Sequence, residues 1–140
     1  MQTRNHTLLT ELDALRLRRI AHHLINQGGG NRDKGEELVE LIECAEVVSA
    51  EAIPPGIVTM NSRVLYDNST DGPAAAITLV YPEQADVDRG RVSVLSPLGL
   101  ALLGARNGEQ VSLETPGSGL REVRVQQVVY QPEAAGERTL

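Results

Sequence analysis

The strongest constraint in this chain is a break. At Ile53-Pro54-Pro55 the hydrophobic pattern changes from helical to strand-like period. Proline lacks a backbone N–H, has a fixed φ and pushes the preceding residue out of the helical region, so no helix crosses this point. A chain of 140 residues divided here is enough for one ordinary domain with an appendage, and too short for two full globular units. The division predicts a helical unit over residues 1–52 and a strand-rich unit over residues 53–140.

Before the break, Leu8, Leu12, Leu15, Ile20 and Leu24 recur three to five residues apart between Thr7 and Gln27, with Ala21 beside Ile20. That spacing predicts an amphipathic helix. Thr10, followed three residues later by Asp13, is its expected N-cap, and Gly28-Gly29-Gly30 its expected end. A second helix is expected from about Asp33, with Leu38, Leu41, Ile42, Ala45 and Val48 on one stripe and Glu36, Glu37, Glu40, Glu43 and Glu46 around it. Two helices joined by a short glycine connection predict an antiparallel hairpin. Its Arg-rich side (Arg16, Arg18, Arg19) should face the Glu-rich side of the second helix, a complementarity that sets register more than it stabilises.

After the break the chain reads as strands punctuated by turns. Strands are expected at Ile57–Tyr66, Ala76–Tyr81, Arg91–Leu95, Gln110–Thr115 and Leu120–Gln131, with turns at Asp67–Gly72 and Pro116–Gly119. Pro97–Leu103 reads as a short helix with Ser96 as its cap and proline in its first turn. The tail Pro132–Leu140 reads as irregular. The fold class is therefore α+β: an N-terminal two-helix hairpin and a C-terminal, mostly antiparallel sheet with one short helix.

Phe and Trp are absent and only Tyr66, Tyr81 and Tyr130 supply aromatic rings. The core must then be aliphatic, and functions that stack single-stranded bases or line a prolyl pocket with aromatic rings are disfavoured. The net charge of −6 hides a split. Residues 1–35 hold six basic groups (Arg4, Arg16, Arg18, Arg19, Arg32, Lys34) against Glu11, Asp13 and Asp33; the remainder holds seven basic against sixteen acidic, so the two parts carry +3 and −9. A C-terminal part at −9 repels nucleic acid, and sequence-specific binding to it is not expected. No stretch approaches the roughly 20 apolar residues of a membrane span, and the first residues lack a signal peptide's apolar run, so a cytoplasmic address is expected. Cys44, the single cysteine, cannot form an internal disulfide and is expected to pack as a small apolar side chain.

Catalytic patterns are missing. Adjacent His22 and His23 stand about 100° apart on a helix, a poor geometry for one metal, and with His6 and Cys44 they make no zinc spacing. There is no G-x-S-x-G, and the glycine triplet follows a helix and lacks the Gly-Lys-Ser/Thr ending of a phosphate loop. The hairpin tip groups Arg32, Asp33, Lys34 and Glu36, with Glu37 beside them. Carboxylates at a projecting tip can hold a divalent metal, but Arg32 and Lys34 flank Asp33 and glycine holds geometry poorly, so a solvated helix start is the expected role. No metal, no cofactor and no enzymatic activity are expected.

The segment Val92–Gly119, VSVLSPLGLALLGARNGEQVSLETPGSG, resembles the C-terminal domain of the Gre transcript-cleavage factors: a strand, Ser-Pro, a short helix, a Gly-Glu turn, a strand and Thr-Pro-Gly. Val58–Val64, the Leu79-Val80-Tyr81-Pro82 stretch and Tyr130–Gly136 extend the likeness to the regulator of nucleoside diphosphate kinase (Rnk) family. The resemblance implies an FKBP-like C-terminal domain, an N-terminal coiled-coil hairpin, and binding at the secondary channel of bacterial RNA polymerase. It places Ser96 and Pro97 on the surface that docks against the channel rim, with Gly99 in support. Each helix spans roughly 15–20 residues, about 22–30 Å, short of the reach a Gre hairpin needs to bring acidic residues to the catalytic metal. The implied function is a monomeric transcription regulator that competes with Gre-type factors without stimulating cleavage and affects the level of nucleoside diphosphate kinase. Direct regulation of that kinase by protein–protein contact is the alternative. The chain is not read as the kinase itself, since its histidines lie in or before the first helix without a nucleotide pocket.

Overall fold

The computed structural model describes residues 7–68, 74–115, 117 and 119–136. A short strand β1 (Leu8–Thr10) leads into helices α1 (Glu11–Gln27) and α2 (Gly29–Cys44), followed by strand β2 (Glu46–Val48). Strands β3 (Arg63–Asn68), β4 (Ala75–Val80) and β5 (Arg91–Ser93), helix α3 (Pro97–Leu102), and strands β6 (Gln110–Thr115) and β7 (Gly119–Tyr130) complete the chain. The expected turns over Asp67–Gly72 and Pro116–Gly119, and the tail Pro132–Leu140, lie partly outside the described residues.

Thr10 caps α1 as its position suggests: its hydroxyl accepts the Asp13 N–H at 3.1 Å. The glycine triplet acts differently from the expectation. Gly28 alone ends α1, and Gly29 already begins α2, both with φ in the left-handed region (+76° and +61°). Two consecutive residues of that conformation reverse the chain within a single link, which glycine permits at no steric cost.

The two helices then run antiparallel, with Gly35 of α2 seated against Ala21 and Ile25 of α1. A Cβ at Gly35 would stand 2.7 Å from the Ala21 carbonyl oxygen and 2.9 Å from Ile25 Cγ1. Gly35→Ala is therefore expected to push the helices apart and destabilise the protein by about 1–3 kcal/mol, overriding alanine's better helix propensity. A shift of the urea unfolding midpoint measures it; an unchanged midpoint would show that the hairpin opens freely here.

The expected facing of Arg-rich on Glu-rich sides is replaced by other contacts. Arg16 lies over the Tyr81 ring, 5.9 Å from its centroid. Arg18 and Arg19 face solvent, and Arg32 pairs with Glu36 of its own helix at 3.3 Å. Small and aliphatic residues (Leu17, Ala21, Gly35, Leu38) fill the buried seam. Cys44, expected to be packed inside, is exposed at the end of α2.

The second helix was expected to continue through Val48. It stops at Cys44, because Glu46–Val48 pair in parallel with Leu8–Thr10. A strand of β-branched Val47 and Val48 satisfies its backbone in this ladder.

The main sheet has the order β5-β4-β3-β7-β6. Three of its pairings are antiparallel, as expected of a mostly antiparallel sheet, and the fourth, β4 with β5, is parallel, so the sheet is mixed. Two 3-10 turns, Pro82–Gln84 and Val87–Arg89, carry the chain back between these strands. The expected strand Ile57–Tyr66 begins only at Arg63. Before it, Thr59–Ser62 form a turn: the Thr59 amide donates to Ser62 Oγ at 2.9 Å, and Asn61 takes φ +68°. Asparagine tolerates that region better than most side chains.

The core is aliphatic, as the composition requires. Leu9, Leu17, Leu38 and Ile42 from the hairpin side join Val58, Met60, Val64, Leu79, Val94, Leu102 and Leu103 in one continuous buried cluster, with Tyr81 at its edge. Leu8, Ile53 and Ile57 form a smaller one around the chain break. Gln131 fastens that break to the end of β7, donating from Nε2 to the carbonyl oxygens of Pro54 and Ile57, each at 2.8 Å.

Candidate partner-binding surface

Ser96 and Pro97 sit where β5 gives way to α3. Ser96 is the N-cap of α3: its Oγ accepts the Gly99 N–H at 3.0 Å and donates to the Ser93 carbonyl oxygen at 2.7 Å. The Ser96 amide donates to the same carbonyl at 3.1 Å, and the Leu95 amide donates to Ser93 Oγ at 3.0 Å. This short-range network ties the turn to the end of β5. Pro97 occupies the first helical position, where its missing N–H leaves nothing unsatisfied, and its ring is exposed.

Gly99 is different. It is buried against β5, where a Cβ would stand 2.9 Å from Val94 Cα and closer still to the Ser93 carbonyl oxygen. Of the three expected docking residues, Pro97 and the half-buried Ser96 present surface, and Gly99 supports them from below.

The four expected tip residues do not lie at the apex. The apex is the backbone of Gly28 and Gly29, and Arg32, Asp33, Lys34 and Glu36 follow as exposed residues in the first turns of α2. Asp33 is four residues past Gly29, about 6 Å back along the helix. Among the described residues, no three His, Cys, Asp or Glu side chains come together to hold a metal. His22 and His23 are exposed, and His23 Nε2 lies 3.0 Å from Gln27 Nε2.

The structure also builds a polar cluster that sequence reasoning passed over. Asp13 of α1 is only 3% exposed. Its Oδ2 accepts the Met60 amide at 3.1 Å and its Oδ1 accepts the Tyr81 hydroxyl at 3.2 Å. The Thr59 hydroxyl next to Met60 donates to Glu133 at 2.7 Å. Burial pushes the Asp13 carboxyl up to about 6, Glu133's charge adds to the rise, and the Met60, Tyr81 and Thr10 hydrogen bonds oppose it. Burial and the neighbouring carboxylate also raise the Tyr81 phenol, which keeps its proton and donates. A signal was present: Asp13 lies four residues before Leu17 on the buried stripe of α1, a position for an apolar residue.

On the sheet, Gln126 and Arg124 hold the Asp67 carboxyl below the usual carboxylate range, with Arg124 Nη2 at 3.1 Å from Oδ2.

The chain thus combines a capped strand-to-helix turn, a mixed sheet and a two-helix hairpin. Residues 53–130 match the family described as transcription elongation factor, GreA/GreB, C-term. The chain belongs to the GreA/GreB family. It is 41% identical over 99 residues to the regulator of nucleoside diphosphate kinase of Escherichia coli strain K12, covering 71% of this chain and 73% of that relative. Identity to transcription elongation factor GreA of Syntrophobacter fumaroxidans is 36% over 86 residues, 61% of this chain and 54% of the relative. The chain thus spans about half the length of that GreA relative. A solved prokaryotic transcription elongation factor GreA/GreB from Nitrosomonas europaea superposes with a TM-score of 0.69 at 36% identity, covering 91% of this chain and 100% of that one. Within the GreA/GreB family the chain stands with the regulators of nucleoside diphosphate kinase, the branch its Val58–Val64 and Tyr130–Gly136 segments resemble. These relatives are named as regulators and transcription factors. Among the described residues no helix is long and apolar enough to cross a membrane.

Proposed function

We propose that this protein is a cytoplasmic, monomeric transcription regulator that binds bacterial RNA polymerase at the rim of the secondary channel. There it competes with Gre-type factors without stimulating transcript cleavage, and it affects nucleoside diphosphate kinase through expression. It acts as a binding protein, not an enzyme. The observation that carries this reading is a GreA/GreB C-terminal domain over residues 53–130 joined to a hairpin of only 17 and 16 helical residues whose apex is glycine backbone. Helices of that length extend about 25 Å. The body, residues 53–140, supplies attachment through Ser96 and Pro97, and the hairpin, within residues 1–52, occupies the channel mouth.

Pro97→Asn tests it. The exposed ring makes this change mild for the fold, so the variant should melt like the parent while its capture by core polymerase falls by about tenfold, the loss expected for a central contact of an interface. Ser96→Asp, which keeps a capping acceptor but places charge against the Ser93 carbonyl, should reduce capture as well. The parent protein, free of Gre factors, should leave cleavage in backtracked complexes at its basal rate and slow cleavage stimulated by an added Gre factor. Failure to bind core polymerase, or accelerated cleavage by the protein alone, would overturn the proposal.

The 41% identity to a regulator of nucleoside diphosphate kinase supports a second reading, direct contact with that enzyme. Mixing the two purified proteins distinguishes the readings: a change in kinase turnover or a stable complex favours the second.

A further inference from the structure

We propose that Asp13 is a positioning residue: held between the Met60 amide and the Tyr81 hydroxyl, its carboxylate sets the direction in which the hairpin leaves the sheet body. Its consequence for competition at the polymerase channel rests on the function proposed above; its consequence for the shape of the free protein does not.

Asp13 lies in the first turn of α1, where the Thr10 cap fixes the backbone that carries it. The two groups it engages belong to the body. Met60 sits in the Thr59–Ser62 turn, and Thr59 of that turn is tied to Glu133 beyond β7. Tyr81 immediately follows β4. One carboxylate therefore joins α1 to two separate parts of the sheet body. Arg16, one turn further along α1, covers the face of the same Tyr81 ring, so a single tyrosine is gripped at its hydroxyl and over its ring. Two attachment points on one side chain restrict rotation of α1 about its own axis.

The surrounding apolar contacts specify this direction less sharply. Leu17, Ala21, Leu38 and Ile42 join Met60 and Leu79 in the buried cluster, but the hydrophobic effect is non-directional and resists separation more than it specifies an angle. Hydrogen bonds specify distance and angle. Burial disfavours the ionised form of Asp13 more than its hydrogen bonds favour it. In some proteins a buried polar group specifies one arrangement over others. The lever is long. From Asp13 to Gln27 the helix extends about 21 Å, so a 10° change in its direction moves the apex by about 4 Å.

The experiment uses the full chain with Cys44→Ser, and spin labels at Asn31→Cys on the hairpin and Ser112→Cys on β6, both exposed positions. Distances are read by pulsed electron resonance. The parent should give one narrow distribution. Asp13→Ala and Tyr81→Phe should each broaden it or move it by about 4 Å, the lever estimate above, whereas Leu17→Ala, which loosens the same packing, should leave its centre in place.

An unmoved distribution in folded Asp13→Ala and Tyr81→Phe would overturn the proposal, as would equal displacement by all three variants. If Asp13→Ala does not fold, Tyr81→Phe decides. On polymerase, both variants should retain capture through Pro97 while competition against a Gre factor weakens by about tenfold, the effect expected when the competent arrangement becomes a minor one. If the parent itself fails to bind polymerase, the proposed function falls, and the distance measurement still judges Asp13.

Discussion

Gly99→Ala is expected to destabilise the protein by about 2–3 kcal/mol and to loosen the Ser96-Pro97 turn. The reason is steric and local. A methyl group there would meet the Ser93 carbonyl oxygen well inside contact distance, and would stand 2.9 Å from Val94 Cα and 3.0 Å from the Ser93 carbonyl carbon. These are backbone atoms and have no rotamer to escape into. Relief requires α3 to move away from β5, and that motion pulls Ser96 from the Ser93 carbonyl it donates to at 2.7 Å. Alanine's gain in helix propensity, about 1 kcal/mol, is too small to compensate. Urea unfolding measures the loss. Under the function proposed above, polymerase capture by the folded fraction should fall further than with Pro97→Asn, because the whole turn shifts. A variant as stable as the parent would mean that α3 is not anchored by this contact.

The second large effect is a pH dependence carried by Asp13. Burial, reinforced by Glu133, raises its pKa in the folded protein to about 6, above the ordinary carboxylate value of 3.8. Between those values the folded chain binds the proton more tightly than the unfolded chain. Stability from this group is therefore greatest at low pH and falls as pH rises through the window from about 4 to about 6. The shift corresponds to about 2–3 kcal/mol once complete.

Asp67 works in the opposite sense. Held low by Gln126 and Arg124, it contributes stability above the ordinary carboxylate pKa, and this is lost as pH falls through its lower folded value. Comparing the parent with Asp13→Asn separates the two, since Asp67 is common to both. The parent's unfolding free energy, relative to the variant's, should drop by about 2–3 kcal/mol between pH 4 and pH 7. A constant difference across that range would show that Asp13 titrates as an ordinary exposed carboxylate.

Much of the local structure was legible in the sequence because its causes are local. Thr10 caps α1 three residues before the amide it satisfies, Ser96 does the same for α3, and Pro97 marks the first turn. The alternation in Gln110–Thr115 and in the long final strand identified β6 and β7 nearly to the residue. The family resemblance was legible for the same reason: its Ser-Pro turn, short helix and flanking strands form one continuous run.

What the sequence reading misplaced depended on partners far along the chain. Leu8–Thr10 fit a helical stripe as well as a strand, and only pairing with Glu46–Val48 makes them β1. The parallel pairing of β4 with β5 and the turn at Thr59–Ser62 are likewise decided by long-range backbone hydrogen bonds. Among these, the Asn61 amide donates to the Leu79 carbonyl at 2.6 Å.

The sequence by itself determined the break at Pro54-Pro55, the aliphatic core, the helix caps and the family, because each is encoded in neighbouring residues or in composition. The tertiary structure alone decided the sheet's mixed order, the glycine apex that sets Arg32, Asp33, Lys34 and Glu36 back from the hairpin's end, and the burial of Asp13. A carboxylate on a helix looks solvated until the Met60 amide and Tyr81 hydroxyl, contributed by distant segments, close over it.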